Sequence, residues 1–142
     1  MNVVETLENR YLPLLNQEAV RLRQRHPTFT VNVGSTSIGS ATTFQGHNLY
    51  IEALRLESGN SEPNCIAMEI CVRDVPGTPT LCALDVAWGG DGVPPTVGLD
   101  LLPREVAMTT ETLRIIDEAL PQLEKHFDHC LIAWEATYPQ GT

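Results

Sequence analysis

Glu69 and Asp85 are the first residues in this chain whose types and spacing suggest chemistry. CIAMEICVRD (65–74) alternates with Ile66, Met68, Ile70 and Val72 on one face. TLCALDVAW (80–88) alternates with Cys82, Leu84, Val86 and Trp88 as its apolar set. Aligning those faces across a loop from Val75 to Pro79 sets Val72 opposite Cys82, Ile70 opposite Leu84 and Glu69 opposite Asp85. Like charges facing across strands cost about a few tenths of a kcal/mol. Such a pair can split its pKa values for proton transfer, hold a cation, or receive a basic side chain from a partner. Glu52, Glu57 and Asp100 are the carboxylates expected to extend it, and the partner-binding set read from the sequence is Glu69, Asp85, Glu52 and Asp100.

Other candidate motifs resolve into structure. GSTSIGSA has Gly34 and Gly39 at the separation of a phosphate-binding loop, but Ser40-Ala41 stands where that loop needs a lysine and a hydroxyl. Ser37 lacks the preceding glycine of a nucleophile elbow. In HFDHC, His126, His129 and Cys130 share helical spacing, yet no further ligand is supplied, so neither a metal nor a cofactor is expected. Cys65, Cys71, Cys82 and Cys130 form no Cys-x-x-Cys pair and read as reduced, buried thiols. WGGDG (88–92) reads as a hairpin turn with Gly90-Asp91 as its two loop residues, which would place Leu84 opposite Val97 and Cys82 opposite Leu99. Trp88 and Trp134 fall on the apolar faces of their elements and read as core.

The elements that must position these residues follow from periodicity. Residues 2–26 carry Val4, Leu7, Tyr11, Leu14, Leu15 and Leu22 at helical intervals, with Asn2 and Glu5 as a capping pair, Arg21, Arg23 and Arg25 near the end and a kink or restart expected at Pro13. Phe29, Val31 and Val33 then alternate as a strand. The stretch 34–48 reads as turn, weak strand around Ile38 to Phe44, and turn, and LYIEALRLE (49–57) as the next strand. A last helix is capped at Thr109 or Thr110 and carries Leu113, Ile116, Leu120, Leu123, Phe127, Leu131 and Trp134, with Pro121 kinking it or opening a second helix. The expected fold is a single α+β domain over 1–142. It is a two-layer sandwich in which an antiparallel meander of five to six strands is flanked in sequence by an N-terminal helix and a long C-terminal helix.

Charge bounds the function. Eighteen acids against nine bases give −9, unevenly spread: residues 1–49 hold three acids and four bases, whereas residues 50–142 hold fifteen acids and five bases. That excess repels phosphate backbones and anionic lipid, so neither nucleic acid nor membrane is an expected partner. No window is apolar enough to span a bilayer and no export signal opens the chain, so the expected compartment is the cytoplasm. The reading that follows is a non-catalytic protein-interaction module of the adaptor, chaperone-like or toxin-neutralising kind. It binds a protein, a basic one by charge, through an acidic sheet face, with homo-oligomerisation as a further expectation. The alternative is a small ligand-binding protein or enzyme. Its pocket would lie between helices and a sheet curved by bulges at Gly34, Gly39, Gly46 or Pro94-Pro95, with Glu52, Glu69, Asp85 and His47 supplying polar groups.

Overall fold

Leu7, Tyr11, Leu15, Ala19 and Leu22 recur at steps of four and three, and this stripe is the buried face of α1 (Val3–Arg25). The computed structural model describes residues 3–38, 46–75, 78–89, 98–102 and 104–139. The capping role expected of Asn2 therefore lies outside the described residues. Helix α1 runs unbroken through Pro13, because the buried stripe continues on both sides of the missing backbone bond. Leu14, expected in that stripe, is exposed and faces a groove between the helices.

Among the described residues six antiparallel strands follow: β1 (Thr30–Ile38), β2 (Gly46–Arg55), β3 (Asn64–Val75), β4 (Thr78–Gly89), β5 (Leu99–Asp100) and β6 (Val106–Ala107). They form one sheet in the order β1-β2-β3-β4-β5, with β6 also paired to β4. Strand β1 continues through Gly34, where a turn is expected from composition, in unbroken register with β2. The cause is Tyr50, opposite Gly34: its ring occupies the space a Cβ would need, so the glycine is covered rather than bent. The weak strand expected from Ile38 to Phe44 lies outside the described residues beyond Ile38.

Strands β3 and β4 close more tightly than the five-residue loop expected. Val75 pairs with Thr78, leaving only positions 76 and 77 between them. The register set by that short connection differs by one residue from the register that pairs Ile70 with Leu84, and an irregularity between Cys71 and Val72 absorbs the difference. Val72 therefore faces Leu81, not Cys82, and both Leu81 and Leu84 reach the core. On the far side of β4, Leu99 faces Val86 and Asp100 faces Asp85. This is four residues away from the ladder that a two-residue turn at Gly90-Asp91 would propagate. An even offset keeps every side chain on its own face, so alternation alone cannot detect it. The turn itself lies outside the described residues.

Helix α2 (Thr110–Thr137) starts at a reciprocal cap between Thr109 and Thr112 and is one continuous helix through Pro121, with Ile116 and Leu120 buried before it and Leu123, Phe127, Leu131 and Trp134 after it. Both helices lie on one sheet face, α1 over β1 and β2, α2 over β3 and β4. They run parallel and are clamped near both ends, by Arg10 and Tyr11 on Asp117 and by Arg21 and Arg25 on Asp128. Between helices and sheet lies the core, with Tyr11, Met68, Phe127 and Trp134 fully buried and Trp88 stacked on Trp134 at 5.7 Å. No described helix is long and apolar enough to cross a membrane.

Candidate functional site

The antiparallel registers assemble one cross-strand row on the face the helices leave uncovered: Gly34, Tyr50, Glu69, Asp85 and Asp100, contributed in turn by β1 to β5. Three adjacent members are carboxylates. Glu69 stands directly opposite Asp85, as alternation requires, and the observed β4–β5 register adds Asp100 on Asp85's other side. Glu52 lies on the same face one row away, opposite Ala67, and accepts a hydrogen bond from the Asn32 amide at 3.4 Å. All four residues read from the sequence therefore share the open face, three of them in a single row. The same face carries Ala67, Ala83 and Ala87 beside the row, on β3 and β4.

The electrostatics of the row centre on Asp85. Its carboxyl is half-buried, and its Oδ1 is enclosed with no hydrogen-bond partner among the described residues. Burial, the charge of Glu69, a hydrogen bond shared with Glu69 and the charge of Asp100 together push its pKa up to about 7. Glu69 is steadied from the other side by the Asn48 amide, which donates to Oε2 at 3.1 Å, while the Asn48 carbonyl oxygen is itself buried and has no hydrogen-bond partner among the described residues. Among the described residues no arginine or lysine forms an ion pair with Glu69, Asp85 or Asp100; the salt bridges lie elsewhere. The row thus holds, at Asp85, a carboxyl that keeps its proton toward neutrality beside two further carboxylates, with no cation paired to it among the described residues.

Two thiols border the row. Cys82 donates to the backbone carbonyl of Cys71 at 3.3 Å, and the Cys71 thiol is pushed up to about 12 by burial, by contact with Cys82 and by the nearby acids. Cys65, beside Glu52, is pushed up to about 11, mainly by burial. The Cys71 and Cys65 thiols are therefore poor nucleophiles at neutral pH.

Other expected groups disperse. Glu57 is not on the acidic face. It is buried on the helix side, where its Oε1 accepts from Arg55 Nε and from Trp134 Nε1, both at 2.6 Å. Arg55 also donates to Thr28 and Glu135 and to the carbonyl of Tyr138, and lies 4.6 Å from the Phe29 ring centroid. This lock was readable in outline: Leu49, Ile51, Ala53, Arg55 and Glu57 all share the apolar parity of β2. His47 lies on the helix side too, against Ser35, with Glu8 3.6 Å from its Nε2. Ser35 and Glu8 meet the same ring nitrogen, whereas a nucleophile relay needs the two on opposite nitrogens. His47 therefore does not converge with Glu52, Glu69 and Asp85, which occupy the opposite face. Of the proposed bulge sites, Gly34 and Gly46 sit in regular ladder, and Gly39 and Pro94-Pro95 lie outside the described residues. His129 is exposed while Cys130 is buried, and no group of three side chains able to hold a metal is found among the described residues.

No protein-family model matches this chain, and no curated protein or solved structure is significantly similar to it.

Proposed function

We propose that this protein is a non-catalytic interaction module whose open sheet face receives a basic side chain of a protein partner. The observation that carries the reading is Asp85: a half-buried carboxyl, opposed by Glu69 and Asp100, with an enclosed oxygen that nothing among the described residues satisfies. Inside a folded domain such a row is unfavourable, and an incoming lysine ammonium or arginine guanidinium would satisfy the oxygen and displace the Asp85 proton. Ala67, Ala83 and Ala87 beside the row leave room for an incoming side chain. The net charge of −9 favours encounter with a basic partner.

The test is binding of a lysine-bearing peptide, followed by backbone amide shifts. Wild type should show shifts clustered on β3, β4 and β5, with protons released on binding near neutral pH, about half a proton per peptide where the pH equals the Asp85 value of about 7. Glu69→Gln with Asp85→Asn should weaken binding about tenfold or more, the range for losing a charge-assisted contact. With a natural partner, charge reversal to Glu69→Lys and Asp85→Lys should abolish capture. Capture that survives at unchanged salt sensitivity would falsify the open-face reading.

A ligand-binding alternative is favoured by a different place, a groove of about 430 Å³ between α1 and α2 lined by Leu14, Glu18, Arg21, Leu120, Pro121 and Glu124. Burial and the neighbouring Glu18 raise the pKa of Glu124 there. A small amine that shifts Glu124 and leaves β3–β5 unmoved would favour this groove.

A further inference from the structure

We infer that β1 is the dimerisation edge of this protein, pairing antiparallel with β1 of a second copy to make one continuous sheet. On its outer side no strand pairs with β1 among the described residues, whereas the opposite edge of the sheet is closed over β4 by the short strands β5 and β6. The edge is nine residues long, TVNVGSTSI, in unbroken register with β2, and carries no charge, no proline and no bulge. Those are the devices by which edges are protected from pairing, and their absence over such a length marks an edge that is meant to be covered. One carbonyl is occupied: Arg23 donates from Nη2 to Val31 O at 2.6 Å, which bounds the open stretch at its N-terminal end.

The charge pattern of α1 selects a second copy as the occupant. Glu5, Leu12, Asn16 and Arg23 are spaced by seven, four and seven residues and share the side of α1 that looks toward β1, as the Arg23 bond to Val31 shows. That side is acidic at its start and basic at its end. Helix α1 runs antiparallel to β1, since Arg23 meets Val31 while Glu8 reaches His47, the residue opposite Ser37. Fifteen helical residues cover about 22 Å and six strand residues about 20 Å, so helix and strand keep step along their length. A two-fold axis through Gly34 sets Asn32 against Thr36 of the copy. The helix midpoint falls beside the same part of β1, so this axis also sets Glu5 against the copy's Arg23 and Leu12 against its Asn16. Because α1 sits over β1 and β2, the two copies of α1 come to roughly 10 Å apart, which is helix-packing distance. The acidic rows stay apart: five strand spacings, roughly 24 Å, separate the two copies of Glu69, well beyond the screening length in physiological salt.

This inference is independent of the acidic-face reading, and sedimentation equilibrium tests it. Wild type should approach twice the 15.6 kDa chain mass. Asn32→Lys with Thr36→Lys, both exposed positions, places like charges opposite one another and should return the chain to monomer with an unchanged circular dichroism spectrum. Glu5→Arg and Arg23→Glu should each weaken the dimer roughly tenfold, and an equimolar mixture of the two variants should restore it, because every contact in the mixed dimer is again attractive. Glu69→Gln with Asp85→Asn should leave the dimer intact. A wild type that stays monomeric at millimolar concentration overturns the inference, as does a dimer indifferent to the β1 lysines. A chain that is monomeric alone and accepts a strand of another protein on β1 overturns it too.

Discussion

Asp85 holds a proton near neutrality because its half-buried setting and two neighbours, Glu69 on β3 and Asp100 on β5, make its ionised form expensive. Its folded value lies above the ordinary 3.8, so between pH about 4 and about 7 the native state binds more protons than the unfolded chain. The stability this group contributes is full below the unfolded value and is lost as pH rises through the folded one. Asp85→Asn should therefore raise stability at pH 7.5 by about 0.5–1 kcal/mol, the size of a relieved cross-strand repulsion. The gain should shrink toward pH 5, where Asp85 is protonated anyway. Urea midpoints of the two proteins across that range check the slope, and parallel curves would refute the raised pKa. Parity made Glu69 and Asp85 legible as a pair, since two strands with one buried face admit only even registers. Asp100's place beside them was not legible, because its register depended on a loop length that parity does not constrain.

At the scale of elements, the ends of β2 and α2 are tied by a polar lock that sequence reasoning assigned to the wrong face. Glu57 was expected near the acidic row because a carboxylate is usually exposed, yet its parity matches Leu49 and Ile51, and Arg55 two residues earlier offers its counter-charge. Both side chains are almost fully enclosed, at 6% and 3% exposure. Glu57→Ala leaves a buried guanidinium and the Trp134 indole without their shared acceptor. It should cost about 3–5 kcal/mol, read as a lower urea midpoint with unchanged slope. Arg55→Met combined with Glu57→Leu removes both charges and should recover a large part of that loss. The helices teach a related lesson. Pro13 and Pro121 signal breaks in local terms, but each lies between buried residues of one stripe, and packing keeps α1 and α2 whole. Gly34 signals a turn until Tyr50 is seen to cover it, a long-range contact that no local window contains.

Over the whole molecule, two helices on one face and bare acids on the other give the sheet a polarity that composition only hinted at. The order of helix, meander and helix was legible because helical and strand periods change sharply at Pro27 and again near Thr109. The uneven charge of the sequence now has a geometry. The α1–β1 side holds the near-neutral portion of the chain, and the acidic portion lies toward β3, β4, β5 and α2. Self-repulsion of that acidic portion must be offset by packing, and counter-ions relieve it. Thermal stability should accordingly rise as sodium chloride is raised from about 0.01 M to about 0.15 M, where the screening length falls to about 8 Å. The rise should be smaller in Glu69→Gln/Asp85→Asn, which removes the most closely opposed charges. Differential scanning fluorimetry at fixed pH 7.5 separates the contributions. An equal salt response in both proteins would place the repulsion in the diffuse net charge and not in the row. A flat response in the variant would locate most of it at the surface on which a basic partner would dock.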